Sequence, residues 1–433
     1  MLSLENVRVT SLGAASIRSP LIGRRDHFVT DEARVLTCSL TSELEAYIAR
    51  AELPPSFEQA GPRHDLFFDP HQTVVGVLTC GGLCPGLNDV IRSIVMTATY
   101  VYGIKQIYGF RYGYAGLNAA SKLEPLELTP SSVEDIHNNG GTMLGSSRGP
   151  QPIEAMLETL QRLKVNVLFC IGGDGTLRGA SALAQAALER DLSISVIGVP
   201  KTIDNDLMWL ERSFGFATAV EEATRSLAAA HAEARGALNG IGLVKLMGRE
   251  SGYITAHATL ADGDVNFCLV PEVPFTLEGP NGLLALLETR LRERHHAVIA
   301  VAEGSGQELL AANAALKDAS GNTKLQDIGT FLRDAISTHF KARGFEHSIK
   351  YIDPSYSIRS QTANAIDAEY CIALGQHAVH AGMAGRTDMM VGYWNQYFTH
   401  VPIALATTKR KKIDPGSELW QRVLGSTGQP ALT

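Results

Sequence analysis

The chain has 433 residues, 45% of them hydrophobic and 19% charged, with a net charge of −7. This length predicts two or three domains, and the composition excludes a disordered or coiled-coil protein. The acidic balance argues against nucleic-acid binding, and no apolar run approaches the ~18 residues of a membrane span. The N-terminus does not have the pattern of a secretory signal, and six scattered cysteines favour reduced thiols. We therefore expect a cytoplasmic protein with no membrane or nucleic-acid partner.

The first 70 residues differ from the rest of the chain. They are interrupted by prolines and carry one helix-like stretch, from about Thr41 to Ala51. We interpret residues 1–70 as an N-terminal extension that packs on a main body beginning near Thr73.

From Thr73 onward, short apolar runs alternate with helical patterns. Such alternation predicts parallel sheets with helices on both faces. The expected fold class is α/β: two doubly wound, mainly parallel-sheet domains plus the extension. We place a nucleotide-binding domain at 71–208, a sugar-phosphate-binding domain at 209–360, and a C-terminal segment, 361–433, that returns to the first domain and the extension. The predicted strands are Val74 to Thr79, Val165 to Ile171, Ile194 to Val199, Ile241 to Met247, Val265 to Val270 and Ala297 to Ala302.

Three loops that follow predicted strands are suited to phosphate binding. The first, at 80–86, is rich in glycine and leads to a helix for which Asn88 is the expected N-cap. Glycines let backbone amides approach an anion, and a helix N-terminus adds partial positive charge. The same turn also serves merely to reverse a chain, so this loop alone is weak evidence.

The second loop, Gly172-Gly173-Asp174-Gly175-Thr176, adds a carboxylate at its tip. A carboxylate beside phosphate-binding amides repels the ligand unless Mg²⁺ lies between them. A helix N-cap is the alternative role for Asp174.

The third loop, Lys201 to Asp206, places a cation, a hydroxyl and two carboxylates at a strand end. Phosphoryl transfer to an alcohol needs a base for the hydroxyl and positive charge for the phosphate. A solvated turn of the same composition remains the alternative. The glycine-rich run 141–148 ends in Arg148, a residue type that grips phosphate with two hydrogen bonds.

These motifs, taken in order, resemble those of the 6-phosphofructokinases. The resemblance runs from about Thr73 to the C-terminus. The long extension, GFRYGY at 109–114 and YIDPSYSIR at 351–359 look like the ATP-dependent subgroup of trypanosomatids, plants and some bacteria. The matching segments are GGLCPGLNDVIR, GGTMLGSSRG, IGGDGT, GVPKTIDND, VKLMGRESG, PEV and VAEG.

The resemblance implies that Asp204 is the base for the sugar O1, with Thr202 and Asp206 in the same catalytic group and Arg249 on the transferring phosphoryl. It implies that Asp174 organises Mg²⁺. Residues expected at the ATP phosphates are Gly82, Arg148, Gly149, Gly173, Asp174, Gly175 and Thr176. Residues expected at the sugar phosphate are Thr202, Ile203, Asp204, Met247, Gly248, Arg249, Glu303, Tyr356, Ser357, Ile358 and Arg359.

Two positions bear on the phosphoryl donor. In pyrophosphate-dependent members an Asp follows the GGD aspartate and a Lys precedes TIDND, whereas many bacterial ATP-dependent members have Gly at both. Here the two positions are Gly175 and Lys201. A carboxylate at 175 would collide with the α-phosphate of ATP and repel it, so we expect ATP.

Two family arginines are missing, because Gly240 and Ala368 stand in their places. Other cations must therefore hold the 6-phosphate. The resemblance implies an allosterically regulated homotetramer of glycolysis that makes fructose 1,6-bisphosphate from fructose 6-phosphate and Mg-ATP. The alternatives are pyrophosphate as donor, an NAD- or lipid-kinase-like enzyme suggested by GGDGT alone, and a catalytically silent subunit.

Overall fold

The computed structural model describes residues 4–24, 26–310 and 325–432. The chain divides into two compact units. The first unit comprises Met1–Gly215 with Gln361–Lys409, and the second comprises Phe216–Ser360 with Arg410–Thr433.

Strands are numbered in chain order. They are β1 Thr10–Ser11, β2 Ile17–Arg18, β3 Arg34–Leu36, β4 Ser56–Gln59, β5 Asp65–Leu66, β6 Val74–Thr79, β7 Gln106–Phe110, β8 Leu126–Glu127, β9 Val167–Gly172, β10 Ser195–Pro200, β11 Gly240–Leu246, β12 Phe267–Leu269, β13 His296–Ala302, β14 Ser348–Ile352, β15 Arg386–Thr387, β16 Met389–Trp394 and β17 Tyr397–Pro402.

Helices are numbered in the same way. They are α1 Thr41–Ala49, α2 Leu87–Met96, α3 Ile153–Arg162, α4 Asp174–Leu188, α5 Phe216–Arg235, α6 Tyr253–Asp262, α7 Leu283–Arg294, α8 Ile328–Ala342, α9 Ser355–Arg359, α10 Ala365–Met383, α11 Ile403–Ala406 and α12 Glu418–Thr427. In the part of the chain that the structure describes, none of these helices is long and apolar enough to cross a bilayer.

The first unit is built on a sheet of nine strands in the order β3-β4-β17-β16-β10-β9-β6-β7-β8. Its middle strands, from β16 to β7, run parallel. Strands β6, β9 and β10 are buried along their whole length, which accounts for their continuous apolar sequences. Strand β6 has β7 as its neighbour on one side in the sheet and β9 on the other, so the order of the strands changes direction at β6. Ligands bind at such switch points, beyond the carboxyl ends of the strands.

The second unit has a four-stranded parallel sheet in the order β12-β13-β11-β14. Leucine, isoleucine and phenylalanine side chains from α7 and α8 cover it and form a separate core. Strands β11 and β13 lie side by side, although β12 falls between them in sequence. The expected class, two α/β domains with mainly parallel sheets, is therefore confirmed.

Several details differ from the sequence-based expectations. Asn88 does not cap α2: Gly86, with φ of 99°, is the N-cap residue. The Asn88 side chain instead donates to the carbonyls of Ile136 and Asn139 and accepts from Met143 N, and these partners are distant in sequence. Helix α4 begins at Asp174, seven residues before its apolar pattern becomes visible.

The unit boundaries also differ from those drawn on the sequence. The first crossover lies after Gly215 rather than after 208, because the segment that follows the third loop still packs on the first unit. Residues 410–433 belong to the second unit, whereas we expected them on the first. The apolar face of α12, with Trp420 and Val423, packs there against Ala256 and Val270.

The extension is joined to the first unit by strand pairing, since β4 pairs with β17. A buried group of charges, here called the Glu58 cluster, lies at this junction. Glu58 Oε1 accepts from Arg63 Nη2 at 2.9 Å and Arg386 Nε at 2.8 Å, and His400 Nδ1 lies 3.3 Å away. Asp31 accepts from both arginines at the exposed end.

We expect Glu58→Gln to destabilise the first unit by about 3–5 kcal/mol, because it removes the buried carboxylate between two buried arginines and leaves them only the exposed Asp31. The matched control is Glu52→Gln, which removes an exposed ion pair with Arg50 and should cost less than about 1 kcal/mol. Urea unfolding measures both variants. Equal urea midpoints for the two variants would contradict a stabilising role for Glu58.

The same cluster predicts how stability changes with pH. Burial lowers the pKa of His400, so the unfolded chain binds a proton that the folded chain does not. Stability should therefore fall as the pH drops below about 6.5, the unperturbed histidine value. Burial favours neutral Glu58, but its His400 hydrogen bond and the two arginines lower its pKa on balance. Its contribution is complete at neutral pH and is lost below about pH 4.3. Unfolding of His400→Gln between pH 7 and 5 should show a weaker pH dependence than the parent.

Candidate active site

The three sequence-predicted phosphate loops lie side by side at the carboxyl ends of β6, β9 and β10. Cys80 N donates to Ile171 O at 3.0 Å, and Lys201 N donates to Gly172 O at 2.9 Å. A Cβ added at Gly173 would lie 3.2 Å from the Lys201 carbonyl oxygen. The sheet therefore brings together loops that are about 120 residues apart in sequence at their widest separation.

The glycine-rich run that ends at Arg148 closes over the first of these loops. Gly81 N donates to Ser147 O at 3.1 Å, and Ser146 Oγ donates to Gly81 O at 2.6 Å. A Cβ at Gly82 would lie 3.7 Å from an Arg148 guanidinium nitrogen, so Arg148 lies beside the loop. Arg148 itself is exposed, and Gly149 after it has φ of 98°. The Arg148 guanidinium and the glycine-rich first loop therefore lie side by side.

Sequence reasoning singled out Arg148 from that run and passed over Ser146 and Ser147. Ser147 Oγ donates to Tyr112 O at 2.6 Å, and Tyr112 N donates to Leu144 O at 2.8 Å. These serines hold the run against two other loops. No local pattern marks them, because their partners are brought near only by the sheet.

The second loop starts helix α4, with Gly173 as the N-cap residue and Asp174 in the first turn. The capping alternative for Asp174 is therefore wrong. Its carboxylate lies 3.2 Å from Arg178 Nη2, and the side chain keeps 21% of its surface exposed. A Cβ at Gly175 would meet no atom of the described residues within 4 Å. Thr176 is buried, and its carbonyl accepts from Tyr114 OH at 2.6 Å.

Asp174 fits a magnesium ion that is shared with a nucleotide. Mg²⁺ in such sites takes one or two protein carboxylates, and phosphate oxygens and waters complete its shell. Within the described ranges, no group of three His, Cys, Asp or Glu side chains is arranged to hold a metal alone. A single, partly exposed carboxylate next to the backbone amides of a glycine-rich loop is consistent with that donor set.

The third loop is mostly buried, which excludes a merely solvated turn. Thr202 Oγ1 donates to Asp206 Oδ1 at 2.5 Å, and Asp206 is buried. Asn205 has φ of 53°; its side chain donates to Glu211 O and accepts from Ser213 N. Ile203 is buried as well, so its side chain is not accessible to a ligand. Asp204 is half-buried at the tip of the loop.

Lys201 is 7% exposed and donates from Nζ to Gly82 O at 2.8 Å. Burial lowers the pKa of its ammonium, and the neighbouring Asp204 carboxylate opposes that shift. The lysine thus links the third loop to the first and brings positive charge close to Asp204.

The second unit brings its own predicted residues together at the ends of β11 and β13. Gly304 N donates to Gly248 O at 3.0 Å, and a Cβ at Gly304 would lie 1.8 Å from Arg249 O. Gly248 has φ of 129°, a value that favours glycine. Burial raises the pKa of Glu303, while Arg249 opposes the shift. Met247 is half-buried beside them.

Helix α9 carries the remaining predicted residues. Tyr356 is 73% exposed, and the Arg359 guanidinium lies 4.4 Å from its ring centroid. Ile358 is fully buried and anchors the helix, and Ser357 Oγ donates to Pro354 O at 2.8 Å. Tyr356 and Arg359 are the two large side chains that this turn leaves at least partly exposed.

The structure also explains the missing arginine at 240. A Cβ at Gly240 would lie 2.0 Å from Ala234 O, so no side chain fits there. Ala368 lies in the first turn of α10.

Comparison with known proteins identifies relatives along nearly the whole chain. The profile of the family described as Phosphofructokinase matches residues 74–382. The chain is 47% identical to ATP-dependent 6-phosphofructokinase of Borreliella burgdorferi, across 98% of this chain and 96% of that protein. It is 48% identical to the enzyme of the same name from Amycolatopsis methanolica, across 99% and 96%. With the Trypanosoma brucei brucei enzyme of that name, identity is 47% across 84% and 75%.

Solved structures show the same fold at lower identity. A pyrophosphate-dependent phosphofructokinase from Marinobacter aquaeolei superposes with a TM-score of 0.67 at 21% identity, covering 83% of this chain and 92% of that one. The phosphofructokinase of Saccharomyces cerevisiae gives 0.63 at 20% identity, covering 82% and 48%.

Proposed function

The chain belongs to the phosphofructokinase family, and from that premise we propose that it transfers the γ-phosphoryl group of Mg-ATP to O1 of fructose 6-phosphate. The products are ADP and fructose 1,6-bisphosphate. The observation that carries this proposal is the assembly of the three loops, with Asp204, Lys201 and Asp174, at one sheet edge of the first unit.

In the proposed mechanism, the Asp204 carboxylate takes the proton of the O1 hydroxyl. O1 then forms a bond to the γ-phosphorus, and the bond from that phosphorus to the β,γ-bridging oxygen breaks, so that ADP leaves. Asp204 lies at the tip of this loop and is only half-buried, so its carboxylate can come within hydrogen-bond reach of the hydroxyl whose proton it takes. Asp206 fixes the Thr202 hydroxyl and thereby the shape of the loop.

Negative charge on the phosphates is balanced by groups already in place before ATP binds. Arg148 and the amides of Gly82, Gly173 and Gly175 face the phosphates in this proposal, and Lys201 holds the first loop by its bond to Gly82 O. When bound through Asp174, Mg²⁺ neutralises part of the phosphate charge. Preorganised charge of this kind is the main source of catalysis in phosphoryl transfer.

We assign sugar recognition to the second unit. Glu303 accepts from sugar hydroxyls, Arg359 meets the 6-phosphate, and Arg249 stabilises the transferring group. A guanidinium supplies paired donors to phosphate, and a carboxylate is a strong acceptor for hydroxyls. Met247, Gly248, Tyr356, Ser357 and Ile358 shape the surroundings.

Initial rates with fructose 6-phosphate and Mg²⁺, taken with ATP and with pyrophosphate side by side, test this function. We expect turnover with ATP alone. Turnover with pyrophosphate alone would show that Lys201 outweighs Gly175 in donor choice. No turnover with either donor would contradict the function.

We also propose that the protein is a cytoplasmic homotetramer, as the family resemblance implies. Light scattering under assay conditions should give four times the 46.5 kDa chain mass. A monomer mass would contradict this assembly.

A further inference from the structure

Lys245 is a charged residue in the otherwise apolar strand β11. Its side chain is only 12% exposed, and Nζ lies 2.8 Å from Asp353 Oδ2 and 3.2 Å from Asp327 Oδ1. These bonds raise the pKa of the ammonium despite its burial, so it is charged at neutral pH. One buried cation therefore joins two carboxylates from separate segments of the second unit.

Both aspartates accept hydrogen bonds at the start of a helix: Asp327 is the N-cap residue of α8, and Asp353 immediately precedes Pro354, the N-cap residue of α9. Asp327 Oδ1 accepts from the backbone amides of Gly329 and Thr330 at the beginning of α8. Asp353 Oδ1 accepts from Ser355 N at 3.2 Å and Ser355 Oγ at 2.6 Å at the beginning of α9. Through its two ion pairs, Lys245 ties the first turns of α8 and α9 to the end of β11.

This tie lies at the carboxyl edge of the four-stranded sheet, where the proposed sugar-phosphate residues are. Asp353 follows β14 directly, and helix α9 presents Tyr356 and Arg359. Glu303 follows β13, and Lys245 is one of the cations that oppose the rise in its pKa. The lysine therefore acts on both the helix and the carboxylate assigned to the sugar.

We propose that Lys245 is a positioning residue for sugar-phosphate binding, an inference that rests on the function proposed above. It does not bind the phosphate directly. Its single positive charge is shared by two carboxylates, so the three groups together carry net negative charge and repel an anion. Its effect on the ligand runs through the placement of α9.

Removal of the cation should loosen α9 and leave two carboxylates that repel each other. We expect Lys245→Met to raise the KM for fructose 6-phosphate by about tenfold or more, since 1.4 kcal/mol of lost binding is a factor of ten. The kcat and the KM for ATP should stay within about threefold, because the residue touches no reacting atom. Lys245→Arg, which keeps the charge, should restore most of the affinity.

Lys350→Met serves as the matched control, since Lys350 is an exposed lysine of the neighbouring strand β14. It should leave all three constants unchanged. Asp353→Asn is a second variant that keeps a side-chain acceptor for Ser355 while it removes one ion pair, and it should raise the same KM by about threefold. A parental KM for fructose 6-phosphate in Lys245→Met, or in Asp353→Asn if the former does not fold, overturns the proposal.

Hydrogen exchange of the full chain without substrate separates this inference from the proposed function. Amides of 351–360 should exchange faster in Lys245→Met than in the parent or in Lys350→Met. Unchanged exchange there overturns the positioning role. Absence of turnover in the parent protein would overturn the proposed function while the exchange result still stands.

Discussion

Asp204→Asn is expected to lower kcat by about 10²–10⁴-fold, the contribution that a well-placed general base makes. Asn fills the same volume but does not accept the O1 proton at neutral pH. The KM for each substrate should change little, because the lost interaction belongs to the transition state.

The matched control for this variant is Asp191→Asn. Asp191 is an exposed loop residue of the same unit with φ of 54°, a backbone conformation that Asn tolerates equally well. Its activity and the thermal midpoints of both variants should match those of the parent. A kcat for Asp204→Asn within about threefold of the parent would remove Asp204 as the base.

Gly175→Asp is expected to lower kcat/KM with ATP by about 100-fold or more, which corresponds to about 2.7 kcal/mol. A Cβ at this position meets no protein atom within 4 Å, so the fold accepts a side chain. The substitution instead weakens ATP binding, because the new carboxylate would collide with the α-phosphate and repel it. Steady-state rates over a range of ATP concentrations measure it.

Gly175→Ala separates volume from charge at the same position. The methyl group adds little bulk in open space, and Ala favours helix α4. We expect its kcat/KM with ATP to stay within about threefold of the parent. If the Ala and Asp variants lose activity equally, the volume of the side chain at 175, and not its charge, decides the donor. If neither loses activity, residue 175 does not select the donor.

The sequence alone predicts the strands well where buried parallel strands leave an unmistakable signal. Strand β6 begins and ends at the predicted residues, Val74 and Thr79. It predicts the start of α4 poorly, because the first turn of that helix consists of the glycine-rich loop itself. It misplaces the cap of α2, because Asn88 has the right side chain for a cap but finds tertiary partners instead.

In the candidate site, too, some residues can be predicted from the sequence and others cannot. Asp174, Lys201, Asp204 and Arg249 stand out in the sequence because each is a charged residue at the end of an apolar run, and the ordered motifs carry the family. Ser146, Ser147 and Lys245 do not stand out. Their roles depend on partners that the sheets bring near from distant segments, so no local pattern distinguishes them from ordinary surface residues.

By itself, the sequence determined the α/β class, the family and the chemical types available at the site, because these depend on periodicity and on the order of short motifs. Only the tertiary structure decided which loops contact one another, why no side chain fits at Gly240, and that Lys245 joins the starts of two helices. The physical reason is that hydrogen bonds and ion pairs act over about 3 Å. Distances in space are set by the packing of whole strands and helices, which neighbours in sequence do not reveal.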